Sequence, residues 1–117
     1  MGSLSLPNSE FQMSAYLIVR AEVTNETDRS SFDTWYENEH LPEAVAAFNA
    51  EGASRGWSDV EPNVHYAFYR FPNLAAAQSI GDSEAIRGMI KEFDRLWDGK
   101  VVRTRDIVEV IQTIEAS

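Results

Sequence analysis

Apolar and polar residues alternate with period two over residues 14–23, with Leu17, Val19, Ala21 and Val23 on one face and Tyr16, Ile18, Arg20 and Glu22 on the other. Such alternation in a β-branched and aromatic run predicts a strand whose second face is only partly apolar. Residues 24–28 form a polar loop, Ser30 or Ser31 is placed to cap a helix, and Asp33 in its first turn faces the positive end of the dipole. Phe32, Trp35, Tyr36, Glu39 and His40 recur at i, i+3, i+4, i+7 and i+8, which puts all five on one side of that helix. Pro42 lacks the backbone N–H that a helix interior needs. The spacing therefore predicts a break near His40 and Leu41 that exposes His40, and a second segment that begins with Pro42 in its first turn and ends near Phe48.

Further along, Gly52–Trp57 reads as a short strand and Glu61, Pro62 and Asn63 as a turn. Val64–Phe71 is a strong aromatic strand with His65, Ala67, Tyr69 and Phe71 opposite Tyr66, Phe68 and Arg70. Asn73 caps a short Ala-rich helix that Gly81 interrupts, and a new start lies at Asp82 or Ser83. Ile86, Met89, Ile90, Phe93, Leu96 and Trp97 then make the best amphipathic stripe of the chain, with Gly99 placed to stop it. Residues 101–114 alternate as a long last strand, Arg103, Arg105 and Ile107 falling opposite Val102, Thr104, Asp106 and Val108.

The order β-α-β-β-α-β is the ferredoxin-like arrangement, α+β, with an antiparallel four-stranded sheet and both helical layers on one face. Residues 14–117 are read as that single domain and residues 1–13 as a loose tail. With aromatics on both faces of the Val64–Phe71 strand, the sheet surface away from the helices needs cover. A two-fold homodimer that closes two sheets into a barrel is the expected solution.

Charge and composition narrow the partners. Ten Lys and Arg against nineteen Asp and Glu give a net charge of −9 in 117 residues, and no basic stripe is available to displace counterions from a nucleic acid. The absence of cysteine removes thiol catalysis, thiolate zinc sites and disulfides together, and fits a reducing, cytoplasmic setting. The first dozen residues lack the apolar core of a signal peptide, and no apolar run approaches a membrane span. Two histidines without a metal-ligand spacing, and six dispersed glycines without a phosphate-cradling pattern, indicate neither a metal nor a nucleotide cofactor. No cofactor is expected.

His40 is the sharpest chemical candidate, because an imidazole exchanges protons near neutrality and this one sits one turn from Tyr36 beside a proline. Its competing role is to cap the last carbonyls of the first helix. Tyr36 is the candidate to orient a substrate oxygen or His40 itself, on a stripe that also assigns it and Trp35 to the core. Trp35, Trp57 and Tyr69 would shape an apolar pocket. Arg55 and Arg70 are candidate anion-binding forks, as are the strand-borne Arg103 and Arg105, although ion pairing with Asp59, Glu61, Asp106 or Glu109 is the commoner fate of such cations. His65 either lines the pocket with Tyr69 or occupies a sheet edge.

The stretch Phe32-Asp33-Thr34-Trp35-Tyr36-Glu37-Asn38-Glu39-His40-Leu41-Pro42-Glu43, with Gly52-Ala53-Ser54-Arg55-Gly56-Trp57 and Tyr66-Ala67-Phe68-Tyr69-Arg70-Phe71, resembles the dimeric α+β barrel superfamily. Within it, WY-x-x-EHLPE is most similar to the EthD-like and antibiotic-biosynthesis-monooxygenase-like small bacterial proteins. The resemblance implies the barrel fold and a homodimer. It leaves the chemistry among cofactor-independent oxygenation, isomerisation, cyclisation and haem degradation, and the Asn, Trp and His residues here do not match a haem site by spacing. The reading that combines residues and resemblance is an enzyme acting on a small, largely apolar, aromatic or polyketide-like molecule, with His40 as acid/base. A non-catalytic ligand-binding or stress-related dimer and a purely structural association module are the alternatives.

Overall fold

The computed structural model describes residues 13–116, so the reading of a loose N-terminal tail falls almost wholly outside the described residues. The chain runs β1 (Ala15–Val23), a 3-10 turn (Glu26–Asp28), α1 (Arg29–Trp35), a π-helical turn (Tyr36–His40), α2 (Leu41–Phe48), β2 (Gly52–Trp57), β3 (Val64–Phe71), α3 (Leu74–Ile80), α4 (Glu84–Trp97) and β4 (Val101–Glu109). The strands form one antiparallel sheet in the order β2-β3-β1-β4, with the helices on one face, which is the ferredoxin-like topology.

Register makes the inner face explicit. Leu17 lies opposite Tyr69 and Ile107, Val19 opposite Ala67 and Arg105, and Ala21 opposite His65 and Arg103. Residues directly opposite across a ladder share a face, so the two β4 arginines point to the helix side with the core. The centre of that core is Phe32, fully buried, whose ring meets those of Trp35, Tyr36, Trp57, His65, Phe93 and Trp97 at centroid distances of 5.1 to 6.1 Å. Burying a ring of this size contributes about 1.5–3 kcal/mol from area alone.

The outer face carries Tyr16, Ile18, Tyr66 and Phe68, all half-buried, with Val108 exposed beside them. Tyr66 and Phe68 stack with their planes 18° apart. No described element covers this surface.

Four local expectations change. The first helix starts at Arg29 without a side-chain cap from either serine; Asn25 instead caps the preceding 3-10 turn through Thr27 N–H. The helix does not break at Pro42. It widens, and the Leu41 N–H reaches back five residues to Tyr36 O, so the ring of Pro42 is accommodated in a continuous helix. Glu39 consequently leaves the aromatic side for solvent, while His40 is buried rather than exposed. The last strand ends at Glu109, because its partner β1 begins at Ala15 and the final contact is Val110 N–H to Ser14 O. The caps at Asn73 and Ser83 form as the sequence predicts, accepting from Ala76 and Ile86 N–H.

Candidate functional site

His40 sits where the π turn meets α2. Its ring lies on Trp35 and meets Tyr36 edge-on at 4.7 Å and Phe93 at 5.8 Å. Nδ1 is buried without a hydrogen-bond partner, and the ring borders a cavity of about 30 Å³, close to the volume of one water, between the helices and the sheet. Burial, reinforced by the nearby Arg103 cation, pushes the imidazole down to about 4. At neutral pH it is therefore uncharged, with one ring nitrogen holding a lone pair and no cap to make: the helix continues past it.

Tyr69, Phe93, Met89, Arg103 and Arg105 border the same cavity. The Tyr36 and Tyr69 hydroxyls approach to 3.5 Å, at the limit of a hydrogen bond. Burial raises Tyr36 to about 12 and, again as the leading cause, drives Tyr69 higher still. Both phenols stay protonated and can donate, but neither serves as a base.

Arg103 lies over the Phe93 ring at 4.1 Å and pairs with Asp94 at 3.4 Å. Arg103 and Arg105 also line a larger open groove of about 720 Å³, bordered by Leu17, Ile80, Gly81 and Ile107. The groove is the roomier space, but neither histidine borders it; the chemically equipped space is the small cavity.

A second polar cluster lies on the other side of Tyr36. Arg55 Nη1 donates to Asp33 Oδ1 at 2.9 Å and to His65 Nε2 at 3.1 Å, and Trp57 Nε1 donates to the same Asp33 oxygen at 2.8 Å. A guanidinium has no acceptor to offer, so His65 Nε2 must hold the lone pair and Nδ1 the proton. That Nδ1–H is buried without a partner. Burial first, and then Arg55, push His65 down to about 4, while the Trp57 N–H and then Arg55 hold Asp33 below the usual carboxylate range.

The predicted residues thus divide. His40, Tyr36, Trp35 and Tyr69 come together. Arg55 and Trp57 meet each other in the Asp33 cluster, 5.8 Å from the Tyr36 ring in the case of the Arg55 guanidinium, and border neither the cavity nor the groove. Arg70 is on the outer face, exposed and paired with Glu51 at 3.6 Å, well separated from the others by the sheet. Asp33 was hidden behind its local role near a helix start; its signal was the pair Arg55 and Trp57, two apart on one strand face, both needing an acceptor. Among the described residues no three His, Cys, Asp or Glu side chains converge to hold a metal, and no helix is long and apolar enough to cross a membrane.

A two-layer α+β domain with a neutral histidine at an apolar cavity between helices and sheet is the class that fold and site define. Solved structures share the fold. A dimeric ferredoxin-like protein from an uncultured marine organism superposes with a TM-score of 0.63 at 16% identity, covering 88% of this chain and 100% of that one. An EthD family protein from Bacillus halodurans gives 0.62 at 15%, covering 83% and 99%. SnoaB, a cofactor-independent oxygenase from Streptomyces nogalater, gives 0.61 at 8%, covering 89% and 99%. At these identities the likeness is one of fold. No protein-family model and no curated protein sequence matches the chain.

Proposed function

We propose that this protein is a cofactor-independent small-molecule enzyme in which neutral His40 takes a proton from an enolisable, largely aromatic substrate whose body lies in the β4 groove and whose acidic carbon alone reaches the His40 cavity past Arg103 and Arg105. The observation that carries the reading is His40 itself, a buried imidazole with an unpartnered Nδ1, on a cavity that Arg103 and Arg105 also border. A purely structural position in this apolar cage would be better served by a side chain with nothing to desolvate. The lowered basicity is offset in the reacting complex, because the enolate or phenolate formed next to the imidazolium is its counter-charge in a water-poor site. Tyr36 and Tyr69 donate rather than accept, and Trp35 fixes the ring plane.

Enolisation stops at the proton transfer. In oxygenation the resulting carbanion reduces dioxygen, so a substrate methylene loses two hydrogens and becomes a carbonyl while the second oxygen atom leaves as water. The likeness to a cofactor-independent oxygenase supports including this outcome. The uncovered aromatic outer face, and the likeness to a dimeric protein of the same fold, support a homodimer closed through the two sheets.

Dithranol, an anthrone with an acidic methylene, tests the reading. The wild-type protein is expected to accelerate deuterium uptake at that methylene without oxygen, and quinone formation with oxygen uptake in air. His40→Ala should lower both by about 10²–10⁴-fold while remaining folded. Equal rates for the two proteins across enolisable aromatics would overturn the assignment.

A further inference from the structure

We propose that the groove along β4, which Arg103 and Arg105 share with the small His40 cavity, binds an aromatic monocarboxylic acid, and that Arg105 is the residue that selects it. This rests on the substrate body lying in that groove, as in the functional reading above, but not on any reaction occurring there.

Arg20 pairs with Glu61 and Glu22, Arg55 with Asp33, Arg70 with Glu51, Arg95 with Glu92 and Arg103 with Asp94. Arg29 donates to Pro62 O, and Arg87 to Asp82 O. Arg105 alone among the arginines of the described residues has no carboxylate, carbonyl or ring, in a chain with nineteen acidic residues. It lies opposite Val19 on the helix side of the sheet and borders both the cavity at His40 and the groove along β4.

Its neighbour on the same face is another cation. Arg103 is pushed below its ordinary value mainly by burial and further by Arg105, with Asp94 only partly offsetting this. Asp94 answers Arg103, so an anion at this edge would find Arg105 as the guanidinium still without a carboxylate. The planar fork of Arg105 matches the two oxygens of a carboxylate. Leu17, Ile80 and Ile107 along the groove supply apolar contact for a ring, and Asp106 on its rim opposes a second negative charge, which favours a monocarboxylate over a phosphate dianion. By register Arg105 belongs to the helix side, and at the exposed β4 edge it also borders a pocket with the outer-face residues Ile18, Arg20 and Tyr66.

Calorimetric titration of the full chain with naphthoic acid and with naphthamide tests the proposal, because the two probes share shape and differ in charge. The wild-type protein should bind the acid about tenfold or more tightly than the amide at low salt. Arg105→Gln should abolish that preference, while Arg70→Gln, which removes an equal charge from the opposite face, should keep it. Equal binding of acid and amide, no binding of either at millimolar concentration, or a preference that survives Arg105→Gln would each overturn it. Turnover plays no part in the readout: an acid held by Arg105 and never converted removes the enzymatic reading and leaves this one standing.

Discussion

The imidazole of His40 lies on the indole of Trp35 with ring centroids 4.4 Å apart and planes 21° from parallel. Five residues separate them. At about 100° per residue, a regular α-helix would carry the second ring roughly 140° around the axis from the first. The π turn between them absorbs that difference. One widened turn thus stacks the two rings and turns Glu39 out to solvent. Helices tend to spend such irregularities at functional sites.

Removing the indole should release His40. Trp35→Leu opens one face of the ring to water, so the imidazole pKa is expected to climb from about 4 toward the ordinary 6.5. Titration of the histidine ring protons by NMR checks this, and an unchanged midpoint would mean that Trp35 is not what keeps His40 dry.

Acid should destabilise the fold through its histidines. His40 and His65 titrate near 4 when folded and near 6.5 when unfolded, so the unfolded chain binds more protons between those values. Stability is complete above about pH 6.5 and declines as pH falls toward 4, by at most about 1.4 kcal/mol per pH unit for each histidine. Thermal unfolding of the wild-type protein across this window should show the decline. His40→Leu, which makes no new unsatisfied group, should match or exceed wild-type Tm at pH 7.5 and show a shallower acid slope.

The Asp33 carboxylate answers both Arg55 and the Trp57 N–H. Asp33→Ala should cost about 1–3 kcal/mol in urea denaturation, since it leaves the Arg55 charge half-buried beside His65. Adding Arg55→Met should recover part of that loss. A double variant no more stable than Asp33→Ala would show that Arg55 carries its own weight by other contacts.

The outer face gives a test of assembly. Phe68→Glu places a charge at the centre of the aromatic patch, against Tyr66 and opposite Ile18. Sedimentation velocity should report a dimer for the wild-type chain and a folded monomer for the variant; a wild-type monomer, or a variant that stays dimeric, argues against closure through this face.

Period and order alone determined the architecture. Alternation in β1 and β3, the stripe of α4 and the caps at Asn73 and Ser83 are local signals, and local backbone and burial preferences suffice to produce them. His40 was legible as a candidate because histidine is rare here and its neighbours are aromatic. Its burial was not, because the proline that argued for a break is accommodated by a π turn, and only the packing of Trp35, Tyr36 and Phe93 around the ring selects that outcome. Nor could the sequence assign partners to its arginines. Arg55, Arg70 and Arg105 are alike as strand residues; one is held by Asp33, one is sent to the far face by the pleat, and one is left facing the cavity without a partner. Those fates depend on contacts between residues distant along the chain, which strand register and helix placement create, so only the tertiary structure decided them.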